Sequence, residues 1–460
     1  MKQLRKTVNN LMTIAAALLI IISACTGNRK EIRIVTLDPG HFHAALVQKT
    51  SHRGVSKDVY VYAPDDSQEL RQHISTINSY NTRADNPAGW NLTIYTGSDF
   101  LDRFIAEKKG NLMITAGNNL KKTGYIQLAL SAGINVLADK PAAINGENFK
   151  ALEECFNIAR QNDVLLYDIM TERFEITTIL QREISLITDI YGHQTTGSAI
   201  QPGIEKGSVH LFKKEVSGKP VIRPAWFFDV EQQGEAIADV AVHLVDLVQW
   251  AMFNKQSIDY LEDIDMIDAS HYPTHISAAQ FEEVTGVASF PVFLKKYVDS
   301  DTLKVYANGE INYRIKGIHA RVTVNWDFTN PAGRDTHRSI MRGSRANLVI
   351  KQGEEENYTP TLYIEPSPGT SFSGKDIRTA FDVIERKYPG MTLEPYGSRQ
   401  WKVVVPESYR TGHEDHFGKV MEFFISCLHN GKIPKWETDF MLAKYFVTTQ
   451  ALESAKNSQP

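Results

Sequence analysis

From Ile32 to about Ile144, short apolar runs alternate with stretches of helical period. EIRIVTL, DVYVY, LTIY, NLMITAG and NVLAD read as strands, and HAALVQ, DFLDRFIAEKK and KTGYIQLALSAG as helices between them. Alternation of this kind predicts a parallel sheet with crossover helices. SQELRQHISTINSYN, polar and helical, sits between the second and third strands as an insertion, and TRADNPAGW after it is loop-like. NGENFKALEECFNIARQND predicts a helix opened by Asn145 or Gly146, with an apolar stripe through Phe149, Leu152, Cys155 and Ile158. VLLYDIM is then a further strand and TERFEITTILQREISLI a further helix.

After Tyr191 the texture changes to strands of mixed polarity: GSVHLF, TLKVYANGEINYRI, ARVTVNWDF, HRSIMRGSRANLVIKQG, PTLYIEP and WKVVVP. One wet face and one dry face suit an open antiparallel sheet. HFGKVMEFFISCLHNG and FMLAKYFVTTQALESA close the chain as helices.

Length and charge narrow the picture. The 460 residues suffice for two domains, and a formal net charge of −4 with mixed signs argues against a nucleic-acid partner. The first residues form a separate unit. Lys2, Arg5 and Lys6 precede an apolar stretch from Leu11 to Ile22, then Ile22-Ser23-Ala24-Cys25. The stretch is short for a membrane span and suits a secretory signal, and the tetrapeptide resembles a lipobox. Lipidation of Cys25 is therefore expected, with a mature chain anchored to a membrane of the cell envelope and facing the periplasm. An uncleaved N-terminal anchor is the alternative. Cys155 and Cys427 lie on separate predicted helices and read as buried apolar residues, with a bond between them left open.

Candidate chemistry sits at four places. The first strand runs into IVTLDPGHFHAAL, where a dinucleotide fold would carry G-x-G-x-x-G. Gly40 holds the third glycine position, while Val35 and Leu37 replace the first two. Asp38-Pro39-Gly40 is expected to form a tight turn with free N–H groups able to hold an anion; a plain strand–helix connection is the alternative. His41 and His43 have H-x-H spacing, but no Cys/His/Glu cluster accompanies them, so a phosphate-facing or surface role is expected and no metal site. Asp65, at the end of the second strand, could accept from an adenosine ribose and favour NAD over NADP, or simply cap a helix.

The last two places lie about a hundred residues apart. GINVLADKP ends a strand on Asp139-Lys140-Pro141, and EAIADVAVHLVDLVQW puts Asp239, His243 and Asp246 on one side of a probable helix. A lysine at a strand's C-terminal end opposite an Asp/His pair suits proton transfer at an alcohol, with His243 as base oriented by Asp239. A helix-capping aspartate and a core-edge histidine are the alternative.

These two segments resemble those of the glucose–fructose oxidoreductase / inositol dehydrogenase / rhizopine-catabolism (Gfo/Idh/MocA) family. GINVLADKPAAI is similar to its "EKP" segment with Asp139 in place of Glu. GEAIADVAVHLVDLVQW is similar to its glycine-rich D-x-x-x-H-x-x-D segment with Gly234 kept. DPGHFHAALVQ, DIMTERFEITTILQRE and RPAWFFDVEQQGE resemble stretches of an exported Bacteroidetes subgroup. The resemblance spans essentially the whole mature chain. It implies an α/β architecture: an N-terminal Rossmann dinucleotide-binding domain over 32–168, after a signal (1–25) and linker (26–31). A C-terminal α/β domain with an open, mainly antiparallel sheet would follow over 169–460, with closing helices at 415–456 and a role in homo-oligomerisation.

The resemblance further implies an NAD-dependent (or NADP-dependent) oxidoreductase acting on a sugar hydroxyl or carbonyl, with Lys140, Asp239 and His243 catalytic. Asp38, Gly40, His41, His43, Asp65, Asn118, Asp139, Lys140 and Pro141 would surround the cofactor, and Arg173, Trp226 and Asp246 could line the substrate site. A redox-neutral NAD-dependent glycosidase and a non-catalytic carbohydrate-binding lipoprotein are the alternatives.

Overall fold

In the computed structural model, which describes residues 31–216 and 219–458, the alternating N-terminal pattern becomes one parallel sheet. Its strands are β1 (Ile34–Leu37), β2 (Asp58–Ala63), β3 (Asn91–Thr96), β4 (Leu112–Thr115), β5 (Asn135–Asp139) and β6 (Leu166–Ile169), in the order β3-β2-β1-β4-β5-β6. This is the doubly wound order, with the crevice for ligands at the carboxyl ends of the strands. Every residue of β1, β4 and β6 is buried, because helices cover both faces. β3 is the edge strand and is largely exposed.

The crossover helices begin where the sequence supplies caps. Asn145 accepts from the backbone N–H of Asn148 and opens Gly146–Gln161, which buries Phe149, Leu152, Cys155, Phe156 and Ala159. Ser67 likewise caps the inserted helix Gln68–Thr82 by accepting from Leu70 N–H. Cys155 and Cys427 are both free and buried. Cys25 and the rest of the signal segment lie outside the described residues. Among the described residues no helix is long and apolar enough to cross a membrane.

The second domain is a ten-stranded sheet, antiparallel apart from the pairing of Ile204–Leu211 with Ile318–Asp327, which is parallel. One of its longest strands, Ile264–Ser277, has no clear signature in the sequence. Its apolar residues are sparse and its ladder to Thr302–Ile315 slips at Met266/Asp268 and again at Tyr272/Thr274. The second slip falls at Pro273, which has no ladder N–H to give. The helix Gly374–Lys387 also follows no run singled out in the sequence. The closing helices His413–Asn430 and Lys435–Asn457 return to the first domain, where Phe417, Val420, Met421, Phe424 and Tyr445 join its core.

The segment expected as one helix through Asp239, His243 and Asp246 is two. Ala236–Asp239 ends at Val240, and Ala241–Met252 starts anew. Gly234 makes the approach possible: its φ is +91°, and a Cβ there would lie 2.8 Å from Ile144 Cγ2. Both the backbone and the contact require glycine. Gly234→Ala is expected to lower stability by about 1–3 kcal/mol, read as a shifted denaturant midpoint; an unchanged midpoint would show that neither constraint matters.

Candidate active site

The site forms where the carboxyl ends of β1, β4 and β5 meet the second domain. Lys140, just past β5, follows Asp139 and precedes a cis Lys140–Pro141 peptide. Its ammonium lies 2.9 Å from Asp239 Oδ1 and also donates to the Asp239 carbonyl at 3.2 Å. Gln233 Nε2 donates to the other carboxylate oxygen at 2.9 Å. Asp239 is therefore engaged by Lys140 and Gln233, and it does not orient His243 as the sequence suggested. Among the described residues no hydrogen bond joins Asp239 to His243.

His243 is partly buried, and its Nδ1 is enclosed with no hydrogen-bond partner among the described residues. Burial, then the Lys140 ammonium, push its pKa down to about 3. It is a neutral imidazole at physiological pH, in the proton-accepting form. His41 and His43 are also held well below the ordinary imidazole value: burial dominates both, followed by His43 for the first and His413 and Lys140 for the second.

Asp139 faces these two rings. His43 Nδ1 lies 3.0 and 3.1 Å from its two carboxylate oxygens, and His41 Nδ1 lies 3.6 Å from Oδ2. No partner for the H-x-H pair was visible in the sequence; the fold brings a carboxylate beside it from ninety-six positions beyond His43.

The turn after β1 departs from expectation. Gly40 N–H and His41 N–H both donate to Ala116 O at 3.0 Å, and Asp38 N–H donates to Tyr62 O. The turn thus has no free N–H at these three positions for an anion. Asp38 itself, at φ +44°, turns its carboxylate to Tyr125 OH (2.9 Å), with Lys121 Nζ 3.8 Å away. Burial raises its pKa against these partners. The close packing of this turn on β4 depends on Gly117, where a Cβ would lie 2.7 Å from Asp38 O.

Trp226 packs beside Gly40, its Cζ2 3.4 Å from where a Cβ would be. Next to it a cavity of about 290 Å³ lies between Gly40–Phe42, the start of Gln68–Thr82 and the segment Val221–Phe227. Asp65 is exposed at the end of β2. Asn118 caps the helix Asn119–Ser131 and donates to Gln232 Oε1 at 2.8 Å, so it ties the two domains together.

Arg173 and Asp246, candidates for the substrate wall, instead bind each other in the interior. Arg173 Nε and Nη2 each lie 2.6 Å from Asp246 oxygens, and Nη1 lies 2.7 Å from Glu437. Lys444, fully buried, bridges Asp246 and Asp168, and Tyr445 OH donates to Asp168. These residues support the helix that carries His243.

Several residues near the site had no sequence signal, because their partners lie far along the chain. His413 Nε2 lies 3.1 Å from Thr171 Oγ1 and 3.2 Å from Glu172 Oε1. Burial would raise Glu172, yet His413 holds it well below the usual range. Lys214 and His210 converge on Asp335. Lys122, buried under the site, donates to Asn119 and to the carbonyls of Lys140 and Pro141; burial brings its pKa down to about 8.

Comparison with known proteins follows this geometry. Residues 180–456 match the family model described as "Putative oxidoreductase C terminal domain". The chain is 54% identical to a "putative oxidoreductase" of known crystal structure from Parabacteroides merdae ATCC 43184, covering 94% of this chain and 99% of that one at a TM-score of 0.91. The chain belongs to this "putative oxidoreductase" family.

More distant members of this fold include levoglucosan dehydrogenase in complex with NADH (12% identity, 93% and 97% coverage, TM-score 0.57). An oxidoreductase domain protein from Kribbella flavida is similar at 14% identity, 94% and 98% coverage and TM-score 0.60. No curated protein matches the sequence. These two structures share the parallel sheet and the large second sheet of this oxidoreductase.

Two outcomes test the support beneath the site. Burial alone would raise Asp246, but Arg173 and Lys444 bring it down to about 2, against an ordinary 3.8. A depressed carboxylate stabilises the fold above its unfolded pKa and loses that contribution as pH falls through the folded one. About 2 kcal/mol should therefore vanish between pH about 4 and about 2, visible as a falling denaturant midpoint. Lys444→Ala leaves two buried carboxylates short of a partner and should cost about 3–5 kcal/mol. A loss below about 1 kcal/mol in that variant would mean that the network contributes little.

Proposed function

We propose that this oxidoreductase transfers hydride between NAD and a hydroxyl-bearing or carbonyl carbon of a sugar or sugar derivative. The observation that supports this most is the Lys140–Asp239 ion pair set beside a neutral His243 at the strand ends. Levoglucosan dehydrogenase has been solved with NADH and L-sorbose, and GenD2 from gentamicin A biosynthesis with NAD. Those ligands belong to those proteins; the shared architecture makes the same ligand classes reasonable for this one.

The residues fit a dinucleotide unevenly. The strand-end crevice and the cavity beside Gly40–Phe42 offer room, and Asp65 stands free for a ribose hydroxyl, favouring NAD over NADP. The turn N–H groups of Gly40 and His41 are already bonded to Ala116, so side chains and cavity walls would hold the phosphates. The cofactor, when bound, supplies a hydride acceptor or donor.

The protein's own groups handle the proton. Lys140 donates to the reacting oxygen and stabilises negative charge as it develops. His243 accepts the hydroxyl proton. Lys140 opposes imidazolium formation in the free protein; negative charge on the substrate oxygen offsets the ammonium and weakens that opposition. Asp239, through Oδ1, keeps Lys140 aimed across the domain boundary. Lipidation at Cys25 would place this chemistry in the cell envelope.

Protein purified without added nucleotide should release NAD(H) on denaturation, or gain thermal stability when NAD(H) is added. Lys140→Ala and His243→Asn should each lower sugar turnover by about 10²–10⁴-fold in protein that still folds by circular dichroism. Full activity in both variants would sink the assignment. Absence of nucleotide release together with no thermal shift would remove the cofactor from it.

A further inference from the structure

We propose that His41, His43 and Asp139 form a binding site for one divalent first-row transition-metal ion at the carboxyl ends of β1 and β5. The three side chains offer ligand atoms that all lie within 4.8 Å of one another. Two imidazoles and a carboxylate are ligands shared by Zn²⁺, Fe²⁺ and Co²⁺ sites. None of the residues comes from a mobile tip: Asp139 ends β5, an interior strand, His41 sits in the turn bonded to Ala116 just after β4, and His43 opens the short helix His43–Leu46.

The distances suit a shared ion. Bonds of about 2.0–2.2 Å in a tetrahedral arrangement put ligand atoms about 3.4 Å apart. The separations here are 3.0 Å from His43 Nδ1 to Asp139 Oδ2 and 3.6 Å from His41 Nδ1 to the same oxygen. His41 Nδ1 also accepts the backbone N–H of His43 at 3.4 Å. Nδ1 carries one in-plane lone pair, so a metal ion at His41 takes the place of this long contact.

The neighbouring ammonium groups act on this carboxylate through space and do not hydrogen-bond it. Lys140 is engaged by Asp239, and Lys122 by Asn119 and backbone carbonyls. Among the described residues His43 is the one hydrogen-bond partner of Asp139, whose side chain is only 5% exposed. A buried carboxylate hydrogen-bonded by one imidazole keeps acceptor capacity for a metal ion. Three protein ligands also leave positions open for water or for an oxygen of a polyol substrate. The proposal does not depend on the hydride-transfer reading, and the metal can be tested alone.

The experiment uses the whole protein, stripped with chelator and free of nucleotide, titrated with Co²⁺ and followed by its visible d–d absorption, then with Zn²⁺ by calorimetry. About one ion per chain is expected, with Zn²⁺ displacing Co²⁺. His43→Gln and Asp139→Asn should each weaken binding at least about tenfold. His41→Gln, at a partly exposed ring, should do so as well and serves if Asp139→Asn does not fold. No Co²⁺ band and no Zn²⁺ heat would overturn the proposal, as would binding that survives the His41→Gln/His43→Gln double variant. Turnover and nucleotide release report on hydride transfer separately, so each idea can fail by itself.

Discussion

The interior ion network of Arg173, Asp246, Lys444, Asp168 and Glu437 is the interaction on which the rest of the architecture depends. It joins the last strand of the parallel sheet, the turn after it, the helix Ala241–Met252 and the closing helix Lys435–Asn457. Each charge is buried, so each is tolerable only with its partners in place. A bidentate Arg–carboxylate pair also demands a defined orientation. The helix bearing His243 is thus fixed relative to β6 and, through strand pairing, to β5, whose end leads into Lys140, although the two belong to different domains.

Above this network the site is governed by desolvation. Burial disfavours the charged imidazole at His41, His43 and His243, and the ammonium of Lys140 adds to the effect at all three. The carboxylates Glu172 and Asp335 are held ionised by basic neighbours despite burial. Neutral imidazoles beside retained ammonium groups make a place where a substrate oxygen can lose a proton and keep its charge. The same neutral imidazoles are the form in which histidine binds a metal.

Much of the fold could be read directly. All five expected strands from β1 to β5, and β6 after them, occur where the apolar runs lie, because a parallel sheet covered on both faces needs continuous hydrophobic segments. The strand Ile264–Ser277 escaped because only part of one face is buried and two slips interrupt its alternation. In the site, Lys140, Asp239 and His243 were legible as residue types in a recognisable spacing, but their pairing was not. Helical periodicity joined Asp239 to His243, whereas the end of β5 brings Lys140 to Asp239 from ninety-nine positions away. Arg173 and Asp246 looked like functional residues because charge in an apolar context is unusual, and their actual partners, Glu437 and Lys444, lie far along the chain.

The sequence by itself determined the class of architecture, the positions of the strands and the family to which the chain belongs. These follow from local periodicity, caps and short motifs, which are properties of neighbouring residues. Tertiary structure alone decided that the turn after β1 bonds to Ala116, that Asp139 meets His41 and His43, and which aspartate holds Lys140. Each of these depends on where a strand end, a turn and a helix from distant parts of the chain come to rest together. Hydrogen-bond partners and local dielectric are set by that packing, and no spacing along the chain encodes them.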